Sequence, residues 1–275
     1  MRQFNLFIII FVLVSTCILK GQDTSAETPE LLENLFDRLT NNYDDADRIH
    51  INDSVRLIVD GYVRSDSVFS YKFSNLRHLG QITSPDSMLK IVTWNLVLGN
   101  STSRYFCYFI RKNDAGKPDI VYNLTTDYNE NPVRTDSTYS ESDWYGALYY
   151  DLKPFTINDK PCWILLGIDY GNPSVSRKII DVMSFTSDDS LLFGKKWFES
   201  DDKISFRAVF EYAANAMMTL RFASERLIVF DHLVPFSPSQ KDDRQYYGPD
   251  YSFDAYKFEN GIWKFSLNID ARNKE

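Results

Sequence analysis

Cysteine, glycine, histidine and basic charge are all scarce in this 275-residue chain, and each shortage closes off a class of protein. Three cysteines are too few for a small fold held together by disulfides. The 11 glycines fall below the usual share of about 7%. Collagen-like and glycine-rich disordered architectures are excluded, and turns must be made largely by Asn, Asp, Ser and Pro. Histidine is limited to His50, His78 and His232. No H-x-x-x-H, H-E-x-x-H or Cys-x-x-Cys spacing occurs, so no metal site built on local spacing is expected. Basic residues number 30 against 38 acidic ones, and the resulting charge of −8 removes any general electrostatic case for nucleic acid. G-x-S-x-G, Walker and G-x-G-x-x-G motifs are also missing, so no acyl-transfer, phosphate or dinucleotide fingerprint points to a reaction or a cofactor.

What is abundant is aromatic side chain: 17 Tyr, 20 Phe and 5 Trp, enough to bury a sizeable core. The one long apolar run is at the start. Arg2 precedes Leu6–Val14, followed by the more polar Ser15–Gln22, the three-part order of a secretory signal too short to span a bilayer comfortably. The expected organisation is a signal peptide over residues 1–21, cut near Gln22, and a single α+β domain over 22–275. Val14-Ser15-Thr16-Cys17 also resembles a lipoprotein box, although Thr16 fits that box poorly. No later stretch reaches about 18 consecutive apolar residues, so no transmembrane span is expected in the mature chain.

Helical character is expected over 28–65. Thr28-Pro29-Glu30 opens a helix with a capping hydroxyl, a first-turn proline and an acid near the positive dipole end. Leu31, Leu32, Leu35, Phe36 and Leu39 follow at helical spacing. A second helix is read from about Ile51 to Val63, with Asn52 or Asp53 as its cap. From 88 to 270 the period becomes two. Val92, Trp94, Leu96 and Leu98 alternate on one face, as do Phe106, Tyr108 and Ile110, and Ile204–Tyr212 reads as one strand with an apolar side. Asn260-Gly261 is a favoured two-residue hairpin loop, and its register sets Phe258 opposite Trp263 and Tyr256 opposite Phe265. No helix separates these strands. The expected fold is α+β, with N-terminal helices packed on a large, mainly antiparallel β-sheet curled as a barrel or sandwich.

Candidate chemistry is sparse. Asp231-His232 at a strand end offers an acid–base pair, but adjacent strand residues point to opposite faces. Glu211 or Asp250 are alternative carboxylates for His232. Trp94, Trp144, Tyr145 and Trp163 are candidate ligand-lining residues because aromatic faces bind sugars and apolar ligands; core packing is the competing role for each. Cys107 and Cys162 form either a disulfide, whose loop of about 55 residues would stabilise the fold by roughly 4 kcal/mol, or two separate buried thiols. Asn52, Asn100 and Asn123 head N-x-[ST] triplets, meaningful only in a eukaryotic secretory pathway.

The runs Trp144–Tyr150, Arg177–Val182, Phe193-Gly194, Phe210-Glu211-Tyr212, Phe230–Leu233 and Tyr247–Asp250, with the ending Asp270–Asn273, resemble a family of exported Bacteroidota envelope proteins of unknown function. The resemblance implies a location in the periplasm or at the outer membrane of a Gram-negative cell and brings no activity, cofactor or catalytic residue. The expected role is a non-catalytic envelope protein that binds a small molecule, a glycan or an envelope partner. The alternatives are a periplasmic hydrolase using His232 and a structural subunit of an envelope assembly.

Overall fold

The computed structural model describes residues 27–270 apart from 75, 100, 101, 115, 158 and 159. The expected signal segment, Cys17, Asn100 and Ser101 lie outside them. Two helices open the described residues, α1 (Glu27–Asn41) and α2 (Asp45–Val63). α1 buries Leu32, Leu35, Phe36 and Leu39 and leaves Leu31 half exposed. α2 begins six residues before the expected start, because Asp44 caps it by accepting from the Asp47 N–H at 2.9 Å. Asn52, read as a cap, is buried mid-helix instead and accepts from the indole of Trp94 at 2.9 Å.

Sixteen strands follow among the described residues. β1 (Gly80–Thr83), β2 (Leu89–Val97), β3 (Ser103–Arg111) and β4 (Ile120–Asp127) form a four-stranded antiparallel meander. The second sheet has the order β5-β9-β8-β7-β6, from β5 (Tyr139–Ser140), β6 (Leu148–Ile157), β7 (Lys160–Asp169), β8 (Val175–Phe185) and β9 (Leu191–Phe193). β10 (Phe198–Ser200) and β11 (Lys203–Ser205) belong to the third sheet, while β12 (Ala208–Ala213) pairs back onto β8. The third sheet is completed by β13 (Leu220–Ser224), β14 (Leu227–Pro235), β15 (Tyr247–Glu259) and β16 (Ile262–Ser266), in the order β11-β10-β16-β15-β14-β13. β10 and β16 run parallel, with Phe198 opposite Trp263; the other pairings are antiparallel. The protein is thus mainly antiparallel β with two helices. The expected single sheet is divided into three, and none is closed as a barrel.

The division follows from residue parity. Val92, Trp94 and Leu96 of β2, with Phe106, Tyr108 and Ile110 of β3, share an apolar cluster with the buried residues of α1 and α2. Their odd-numbered neighbours Leu89, Ile91, Tyr105, Cys107 and Phe109 share a second cluster with Trp163, Leu165, Ile179 and Met183 of the second sheet. Ile164, Leu166, Ile180 and Val182, on the reverse face of that sheet, join Phe230, Tyr256 and Trp263 in a third cluster. Successive side chains on a strand point to opposite faces, so the first and second sheets are covered on both sides. That is why their strands read as nearly unbroken apolar runs.

The terminal hairpin has the expected register: Phe258 opposite Trp263, Tyr256 opposite Phe265 and Lys257 opposite Lys264, around Asn260 and Gly261, both at positive φ. The run Ile204–Tyr212, by contrast, is two strands in two sheets. The break falls at Phe206-Arg207, where the fully buried Arg207 donates to Asp181 Oδ2 (2.9 Å) and to the carbonyls of Arg134, Ser137 and Phe193. A buried guanidinium must be met by acceptors. Satisfying it turns the chain from one sheet into the next.

Candidate ligand site

Beside the first residues of β7, three turns meet where one end of the first sheet faces the second. Each is made by short polar side chains. In the β1–β2 turn Asp86 accepts from the Ser84 hydroxyl and from the Met88 N–H (3.0 Å). In the β3–β4 turn Asn113 donates to Pro118 O at 3.0 Å and receives Asp114 N–H at 2.9 Å. In the β8–β9 turn the Thr186 hydroxyl donates to Asp188 Oδ1 at 2.6 Å, and Asp189 takes a positive φ. These local bonds are what Asx and ST turns supply. The first two turns are tied by Lys112 N–H to Met88 O at 2.9 Å. The two sheets are tied by the Arg111–Asp189 ion pair (2.9 Å) and by the Tyr122 hydroxyl donating to Asp189 O (2.7 Å). Burial pushes the Tyr122 phenol above its usual pKa, with Arg111 opposing.

The turns enclose a cavity of about 640 Å³ with Met88, Arg111, Lys112, Lys160, Trp163 and Phe185 among its walls. That size suits a small molecule. Its floor is a ladder of rings: the Arg111 guanidinium lies 4.5 Å from the centroid of Phe185, and Phe185 meets Trp163 edge-on at 5.6 Å. Trp163 is 2% exposed, and its indole N–H has no hydrogen-bond partner. Among the described residues only Trp263 Nε1 shares that condition. A buried donor without an acceptor costs about 1–3 kcal/mol. A second cavity, about 590 Å³, lies at the opposite end of the same sheets beside Tyr149, Tyr150 and Tyr170. Much of its polar lining is already committed: Thr93 donates to Phe106 O, Asn95 to Ser103 Oγ and Tyr150 to Leu220 O.

The four aromatic candidates are not brought together. Trp163 lines the cavity just described. Trp94 is buried beneath the helices, stacked on Phe106 at 5.0 Å. The Trp144 indole donates to the Tyr149 hydroxyl at 3.0 Å. Tyr145 donates to the buried carboxylate of Asp181 at 3.0 Å and lines a smaller cavity of about 280 Å³ with Arg134 and Arg177. Arg111, Lys112, Lys160 and Phe185 were not expected at a site. Their only sequence signal is position, since all four stand at strand ends beside turns.

His232 and Asp231 part company as alternation requires. Asp231 accepts from Thr219 N–H and Oγ1, both at 2.7 Å. His232 Nδ1 pairs at 2.7 Å with Asp254 Oδ2, whose other oxygen takes the Asn268 N–H at 3.0 Å. The other two carboxylates are engaged elsewhere, Glu211 with Arg177 and Asp250 with Ser252. The pairing of β14 with β15 jumps from Asp231↔Phe253 to Leu233↔Pro249, so residues 250–252 bulge opposite His232. None of the three cavities described above includes His232.

The disulfide is not formed, and both cysteines are buried free thiols. Cys107 points into the second cluster and Cys162 into the third, so the second sheet stands between them. Burial pushes the Cys162 thiol up to about 11 and the Cys107 thiol up as well, which leaves neither a ready nucleophile. Comparison with family models, curated proteins and solved structures returns no match.

Proposed function

We propose that the protein is exported to the cell envelope and binds a small molecule without transforming it, in the turn-enclosed cavity over Trp163. Export rests on Arg2 and the apolar run Leu6–Val14. Binding rests on one observation: a preformed cavity floored by two rings in edge-on contact, one of which carries a buried N–H without a partner. Loops held on rigid sheets are where binding sites concentrate, and the cross-links through Asp189 hold these turns before any ligand arrives. Such preorganisation lowers the ordering cost of association. The test is a thermal-shift screen of glycans, lipids and small metabolites on the mature protein, repeated with Trp163→Phe, which keeps a ring and removes the N–H. A ligand at about 100 times its Kd adds roughly 2.7 kcal/mol to stability. A hit whose shift is unaltered by Trp163→Phe overturns the assignment of the site.

A second reading has one observation behind it. The buried Asp254 holds His232 through Nδ1 and leaves Nε2 for general acid–base work, with the His232 side chain 30% exposed. On this reading His232→Ala abolishes a hydrolytic activity; full retention of every activity found in the wild type removes it.

A further inference from the structure

Resting on the cavity over Trp163 as the ligand site, we infer that its ligand is an oxyanion, a carboxylate, sulfonate, sulfate or phosphate, carried on an apolar or ring-shaped body. The chain as a whole is acidic, at −8. This mouth nevertheless gathers four cations, Arg111, Lys112, Lys117 and Lys160, against three carboxylates. Those carboxylates are already engaged. Asp189 holds Arg111 and Asp114 holds Lys117, each at 2.9 Å, while Asp86 takes the Ser84 hydroxyl and the Met88 N–H.

Lys112 and Lys160 enter no ion pair among the described residues. Lys112 Nζ lies 5.4 Å from the ring of Phe69. Lys112 and Lys160 both line this mouth, and the Arg111 guanidinium lies over the Phe185 ring, which meets Trp163 edge-on in the floor. A charge-assisted bond to an oxyanion is about twice as strong as a neutral one. Ring faces below the rim supply contact area for the body that carries it.

Two matched probes separate charge from ring. 8-Anilino-1-naphthalenesulfonate and N-phenyl-1-naphthylamine share one skeleton and differ in the sulfonate. Fluorescence titration of the purified protein at low ionic strength is expected to give the sulfonate roughly tenfold tighter binding. That gap closes in about 1 M salt, where the screening length falls to about 3 Å, and it closes in the double variant Lys112→Gln/Lys160→Gln. Lys153→Gln, at a different cavity beside Phe258, leaves it unchanged. Probe emission sensitised through indole falls in Trp163→Phe.

Equal affinities for the two probes, with both weakened by Trp163→Phe, overturn the oxyanion inference and keep the site. Binding that responds neither to Trp163→Phe nor to the rim lysines overturns both.

Discussion

Arg207→Met removes the one guanidinium that is wholly enclosed among the described residues, and its cost can be worked from what surrounds it. Arg207 and Asp181 both have 0% side-chain exposure and meet at 2.9 Å. Without the arginine, Asp181 keeps only the Val182 N–H (2.7 Å) and the Tyr145 hydroxyl (3.0 Å). The carbonyls of Arg134, Ser137 and Phe193 also lose their donor. Breaking a buried pair from one side costs about 3–5 kcal/mol, because the remaining charge is left uncompensated. A loss of about 4 kcal/mol is expected, or roughly 8–16 °C in Tm at 2–4 °C per kcal/mol for a chain of this size.

The charge explanation is tested by adding Asp181→Asn. The double variant should recover part of the loss, a coupling that two independent lesions would not show. Burial already pushes the Asp181 carboxyl above its usual pKa, against the pull of Arg207, and deleting Arg207 pushes it further. A carboxyl raised in the folded state is destabilising once ionised. The cost of Arg207→Met should therefore grow as pH rises past the wild-type carboxyl's own raised value, which lies above the unfolded value of about 4, and shrink on acidification. Urea unfolding followed by tryptophan emission, with an unchanged m-value, gives the free energies. A single-variant cost below about 1 kcal/mol, or strict additivity in the double, refutes the reasoning.

Lys90 is 1% exposed, and its ammonium donates to Tyr62 Oη, Val68 O and Tyr71 O at 2.5–2.7 Å. Burial lowers its pKa to about 8. The unfolded chain then holds the extra proton between about pH 8 and 10.4, so the wild type should gain up to about 3 kcal/mol over Lys90→Met across that window; parallel urea midpoints at pH 7 and 10 would refute this. Gly194 sits at φ +99°, and a Cβ there would lie 2.5 Å from Arg207 Nη2, whereas Gly116 at φ +85° has open space. Gly194→Ala should cost about 2–3 kcal/mol by calorimetry and Gly116→Ala about 1, the difference being the collision. Cys107 and Cys162 should react with thiol reagents only in denaturant, and a reductant should leave the Tm unchanged.

Elements that rest on local chemistry were legible in the chain itself. The Asn260-Gly261 hairpin needs only two residues tolerant of positive φ, and the parity of β2 and β3 needs only a pleat. What escaped depends on register between distant segments. Asp254 reaches His232 because residues 250–252 bulge out of the β14–β15 ladder, and nothing in Asp231-His232 announces that shift. The split of Ile204–Tyr212 turns on Arg207, an outward-facing residue by period two that becomes buried once Asp181, 26 positions earlier, lies beneath it. Of the cavity, only Trp163 was visible beforehand. Its other walls come from three turns and the start of β7, spread from Asp86 to Asp189, and only the folded sheets bring them to one end.

The parallel pairing of β10 with β16 has a consequence for the order of assembly. Trp197 Nε1 donates to Gly261 O at 2.5 Å, and Trp263 N–H to Trp197 O at 2.9 Å, so the short β10–β11 ribbon gains its neighbour only after the last hairpin exists. During synthesis the two earlier sheets have all their strands once Ala213 has left the ribosome, while the outermost layer waits some fifty residues more for its seam. A nascent chain halted before Ile262 would leave Phe198 and the open edge of β10 without their neighbour. β16 is the latch that closes that edge.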